Sequence, residues 1–156
     1  MKIRHDMVSC HVVRPSQDGS SHEYLQLRRA QNDFMGGTWQ AIYGTSEAAE
    51  SPVQAVLREL REEAGLIPIE LYRVDQVSVF YIAENDTLWH CVPFCAIVDR
   101  AIKITLNDEH EASRWVPAKD VAAHFMWQDN FDAIERIETQ ILKNSLAKPF
   151  LRIPLG

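Results

Sequence analysis

Glu59, Glu62 and Glu63 stand at i, i+3 and i+4 in the run Arg58-Glu59-Leu60-Arg61-Glu62-Glu63-Ala64-Gly65. In a helix that spacing places all three carboxylates on one side within a single turn, where like charges repel and weaken the element. A divalent cation bound among them removes the repulsion. Mg2+ held by one or two carboxylates keeps coordination positions open for water and phosphate oxygens, so the cluster points to metal-assisted chemistry on a phosphate. A solvated acidic face is the competing reading, and glutamates at these spacings without interleaved lysine build one poorly.

The helix that carries them is marked at both ends. Ser51 is a favoured N-cap, Pro52 suits the first helical position, and Gln54 completes a Ser-x-x-Gln capping box. Gly65 provides the stop. Val53, Val56, Leu57, Leu60 and Ala64 form an apolar stripe roughly opposite the glutamates. The spacing therefore predicts a helix over residues 52–64, one face in a core and the other presenting acid to a cleft.

From Gly44 to Leu66 the chain resembles the Nudix box, Gly-x5-Glu-x7-Arg-Glu-U-x-Glu-Glu-x-Gly-U with U aliphatic. Gly44, Glu50, Arg58, Glu59, Leu60, Glu62, Glu63, Gly65 and Leu66 fill its fixed positions. Two departures touch only the loop before the helix: Tyr43-Gly44 replaces a common Gly-Gly, and Ala49 stands where another glycine is frequent. The resemblance implies an α/β/α sandwich around a mixed β-sheet, and a Mg2+- or Mn2+-dependent hydrolase of nucleoside diphosphate linkages. It also implies Glu62 and Glu63 as principal ligands, with Glu59 either binding metal or orienting water and the Tyr43 carbonyl completing the shell. Arg58 reads as a bidentate brace on Glu50, which orients rather than ligates.

Further along, Glu109-His110-x4-Trp115 is similar to a segment many Nudix enzymes place opposite the box helix. There Glu109 would serve as an extra ligand or general base; a polar turn before a strand is the alternative, and His110 reads as a packing or hydrogen-bonding residue. Arg28 and Arg29 end a strand, suiting either phosphate contact or plain solvation. Trp39 suits a base-stacking wall or the core. The order of these elements with Trp127 to Glu135 resembles the branch that hydrolyses dATP or dihydroneopterin triphosphate. Tyr81 keeps a dinucleoside polyphosphate hydrolase open as the alternative, and a non-catalytic nucleotide-binding regulatory module is a third option, set against the survival of every box glutamate.

A length of 156 residues suits one domain spanning 1–156, large enough to bury about 70% of its unfolded surface. The net charge of −6 argues against duplex nucleic acid as a partner, whereas a small nucleoside di- or triphosphate can be accommodated if metal reverses the local field. No apolar run reaches the ~18 residues of a membrane span or forms a signal peptide, so no membrane association and a cytoplasmic location are expected. A homodimer is compatible with the resemblance. Cys10, Cys91 and Cys95 read as buried free thiols.

Period-two runs predict strands at 6–13 and 23–29, then near 70–83, 88–99 and 114–116. Residues 30–38 read as a loop leading to Trp39. A short helix follows Pro117 through Val121, and a last helix covers 130–143 with Phe131, Ile134, Ile137 and Ile141 as its stripe.

Overall fold

The computed structural model describes residues 1–156. The long strand β1 (Lys2–Pro15) is the spine of a nine-stranded mixed sheet. The other strands are β2 (His22–Arg29), β3 (Trp39–Gln40), β4 (Ile42–Thr45), β5 (Glu70–Arg73), β6 (Ser78–Ile82), β7 (Thr87–Ile97), β8 (His110–Pro117) and β9 (Arg152–Ile153). β1 runs parallel to β7 and antiparallel to both β2 and β4. β2 carries β3 and β8, and β7 carries β5 and β6. Helices are α1 (Pro52–Ala64), α2 (Val121–His124), α3 (Gln128–Arg136) and α4 (Lys148–Leu151).

Alternation along β1 divides the core. Val8, Cys10 and Val12 face α1 and meet its Val56, Leu60 and Ala64. Val13 belongs to the opposite layer, with Tyr24, Ile134, Ile137 and Ile141. Each sheet face is thus buried under helix, the layered solution expected when a mixed sheet must hide both surfaces. All three cysteines are free and buried.

α1 begins and ends as its sequence predicts. The Ser51 hydroxyl accepts from the Gln54 amide at 3.2 Å, and the Gln54 side chain accepts from the Ser51 amide at 2.8 Å. Gly65 takes the left-handed conformation at φ 66° and bonds back to the Arg61 carbonyl. Other expectations shift. The run predicted at 70–83 is two strands, β5 and β6, broken between residues 74 and 77. The helix predicted at 130–143 starts at Gln128 and loosens after Arg136 into a π-turn, Ile137–Ile141, that still buries Ile137 and Ile141. β3 and β4 occupy the stretch from Trp39 into the box, while α4 and β9 close the sheet beyond β5. No helix is long and apolar enough to cross a membrane.

Candidate metal and phosphate site

α1 packs against β1 and β4, and the closest approach is at Gly44. A Cβ there would lie 2.2 Å from the Glu59 side-chain carboxyl carbon, so only glycine lets the glutamate sit on the β4 backbone. Glu59 is 12% exposed, and its pKa is raised, first by burial and then against the opposing pull of Arg58. One turn on, Glu63 is buried at 2% exposure, and its Oε2 has no hydrogen-bond partner. Burial, with Glu59 and Glu109 nearby, pushes its pKa up to about 9. An orphaned carboxylate oxygen beside two further carboxylates fits a cation, because an unpaired buried acceptor is otherwise costly.

Glu109 reaches the same place from β8's entry. Its carboxylate lies, with those of Glu63 and the ring of His110, in a group whose ligand atoms all fall within 4.8 Å of one another. The arrangement depends on a bulge between Arg28 and Arg29, where Glu111 is the extra residue; bulges of this kind re-aim side chains beside functional sites. The Asn107 Oδ1 accepts from the Glu109 amide at 3.1 Å and pins the turn. His110, read from the sequence as a packing or hydrogen-bonding residue, stands in this group. Burial and the Arg29 charge lower its pKa to about 4, leaving the imidazole neutral.

Glu62 is tied to Arg58 beside Glu59. It is half-exposed and accepts from Arg58 Nη1 at 3.1 Å, the same nitrogen that donates to Glu59 at 2.8 Å. Arg58 also grips Glu50 through Nε and Nη2, both at 3.0 Å, and donates to the Thr45 carbonyl at 2.9 Å. The bidentate brace expected from the sequence is therefore present, and it lowers the pKa of Glu50. One guanidinium ties the box loop to two of the three helix glutamates.

The loop solves the problem posed by Ala49, which holds φ 64°, the left-handed conformation a glycine would adopt more easily. Tyr43 is half-buried, and its hydroxyl accepts from Asn130 Nδ2 at 2.9 Å across to α3. Arg29 pairs with Asp33 at 2.6 Å and stands 3.9 Å from Glu109, so it borders the cluster. Arg28 instead pairs with Glu111 at 3.2 Å and donates to the Gly37 carbonyl. Trp39 carries the Arg114 guanidinium over its ring at 4.1 Å, and Arg114 is fixed by Gln26 at 2.8 Å. Neither Arg28 nor Trp39 touches the carboxylates.

The sequence pattern of the NUDIX domain family matches residues 4–137. A putative 8-oxo-dGTP diphosphatase 3 of Mycobacterium tuberculosis is 33% identical over 109 residues, 69% of this chain and 50% of that protein. The dihydroneopterin triphosphate diphosphatase of Escherichia coli is 30% identical over 151 residues, covering 86% of this chain and 94% of that one. The solved structure of the E. coli dihydroneopterin triphosphate pyrophosphohydrolase superposes with a TM-score of 0.66 at 27% identity, over 83% of this chain and 92% of its own. A mouse asymmetrical bis(5'-nucleosyl)-tetraphosphatase is 26% identical over 108 residues, 68% of this chain and 71% of that one. The chain spans half or less of the length of several curated relatives it matches.

Proposed function

This chain belongs to the NUDIX domain family, and from that premise we propose that it is a Mg2+-dependent pyrophosphohydrolase acting on a nucleoside or pterin triphosphate. In the reaction water attacks one phosphorus, a phosphoanhydride P–O bond breaks, and a monophosphate and pyrophosphate leave. The observation that carries the reading is the buried, unpaired Glu63 Oε2 beside Glu59 and Glu109.

Glu63 and Glu109 are assigned to hold the cation, with the Tyr43 carbonyl at the Gly44 contact as a further oxygen. Mg2+ or Mn2+ so held supplies charge neutralisation for the phosphate oxygens and a more acidic water. Glu59, whose pKa is raised by burial, is assigned to take the proton from the attacking water, since a base works best with a pKa nearer the working pH. Arg58 orients Glu59 and holds Glu62, the other ligand that the resemblance implies, at the rim of the cluster. Arg29 faces the cluster and would contact a phosphate, exchanging Glu109 for substrate. Trp39, backed by Arg114, is assigned to the wall of the base or pterin. Residues 1–156 act in this reading as one catalytic unit, as a monomer or a homodimer, in the cytoplasm.

A panel of phosphorylated metabolites with Mg2+ tests the proposal. It would include dihydroneopterin triphosphate, dATP, 8-oxo-dGTP and diadenosine tetraphosphate, with phosphate release followed in the presence and absence of pyrophosphatase. Signal on a triphosphate that needs pyrophosphatase supports the reading. Turnover of diadenosine tetraphosphate alone moves the assignment to a dinucleoside polyphosphate hydrolase, the direction suggested by the mouse relative. Binding without turnover would leave a regulatory module.

A further inference from the structure

We propose that His110 is itself a metal ligand, making with Glu63 and Glu109 a mixed nitrogen–oxygen site that discriminates in favour of Mn2+ over Mg2+. The inference rests on the reading of the acidic cluster as the metal site and adds to it a residue and a selectivity.

The His110 side chain is 2% exposed, and its Nδ1 lies 4.0 Å from Glu63 Oε2. Both atoms are buried and neither has a hydrogen-bond partner. At 4.0 Å they do not bond to each other, and buried ring nitrogens otherwise find a carbonyl, hydroxyl or water. Two facing orphans at that distance suit a shared ion. Donors bound at ~2.1 Å lie ~3 Å apart as neighbours and ~4.2 Å apart across the ion. The Glu109 carboxylate completes the trio within 4.8 Å.

His110 is held in this pose by the backbone. It opens β8 opposite Arg29, its amide donates to the Asn107 carbonyl at 3.3 Å, and the bulge at Glu111 follows at once. Nδ1 is the ring nitrogen turned towards Glu63 Oε2. Mg2+ demands a near-ideal shell of hard oxygens. Mn2+ shares its taste for carboxylates but, as a first-row transition ion, also accepts an imidazole nitrogen, although more weakly than the later ions of the row do. The nitrogen thus shifts the preference towards Mn2+.

Pulsed EPR on Mn2+-loaded protein labelled with 15N at histidine reads the ligand directly, and calorimetry gives Mn2+ and Mg2+ affinities for wild type, His110→Gln and Glu63→Gln. The expected result is a 15N coupling in wild type that His110→Gln abolishes. The preference for Mn2+ over Mg2+ should fall about tenfold or more in that variant, in line with the losses seen when groups around a metal are changed. Mn2+ that binds through Glu63 yet shows no histidine coupling overturns the inference and leaves the proposed function intact. Failure of wild type to bind Mn2+ overturns both. The wild-type spectrum decides alone should His110→Gln fail to fold.

Discussion

Replacing Glu63 by Gln should abolish activity and stabilise the metal-free protein at the same time. Glu63 has an ordinary carboxyl pKa of 4.5 when unfolded and one of about 9 in the fold. Between those values the native protein keeps a proton that the unfolded chain gives up, so stability is greatest below pH 4.5 and declines as pH rises towards 9. At pH 7.5 the decline spans about three pH units, which at ~1.4 kcal/mol per unit amounts to about 4 kcal/mol at most. Glutamine mimics the protonated acid and has no proton to lose. In EDTA, Glu63→Gln should therefore match wild type at pH 4.5 and below and exceed it increasingly as pH rises from there. About 2–4 °C of Tm per kcal/mol is expected for a chain of this size. Mg2+ should raise the Tm of wild type and leave the variant unmoved, because a ligand stabilises only the state it binds. Turnover should drop by ~100- to 1000-fold or more, the loss typical of a key electrostatic group. Parallel Tm–pH curves for the two proteins in EDTA would refute the desolvated-acid account, and retained turnover would refute the site.

Gly44→Ala should keep the fold but cut kcat tenfold or more, since its Cβ would strike the Glu59 carboxyl carbon at 2.2 Å; steady-state kinetics with circular dichroism separates the two effects. Overpacking there should also remove about 1–3 kcal/mol, read by urea unfolding. Ala49→Gly should raise stability by about 0.5–1 kcal/mol, because φ 64° strains alanine and not glycine; a lower Tm would contradict this. Arg58→Lys cannot reproduce the fork on Glu50 together with bonds to Glu59 and Thr45. A loss of about 2 kcal/mol in thermal unfolding and a reduced kcat are expected.

The parts of the fold that follow from one local signal are legible in the sequence. α1 is written twice, once in its caps and once in its apolar stripe, and both agree with the structure. The brace of Arg58 on Glu50 is equally readable, because a guanidinium fork matches a carboxylate in the loop before the helix. What the sequence conceals is direction. Glu62 and Glu63 are neighbours in the chain, yet a turn of about 100° per residue sends one to the Arg58 rim and buries the other. His110 is hidden for a similar reason: its aim depends on the bulge at Glu111, a pairing irregularity with no local signature. β3, β4 and β9 are too short for period-two alternation to register, and their pairing is set by partners far along the chain. The π-turn at Ile137–Ile141 keeps buried isoleucines at positions that read as one continuous helix.

The parallel union of β1 with β7 brings Lys2–Val13 alongside Thr87–Ile97, an association no hairpin can nucleate. Glu109 stands beside Glu63 at the head of β8, which pairs with β2, and such distant pairings form slowly. During synthesis a nascent polypeptide that has emerged as far as residue 100 already carries its box helix but lacks the opposing acid. Under the proposed function a divalent cation would therefore meet a site completed only by folding, and chelation should remove turnover while leaving the refolding yield unchanged.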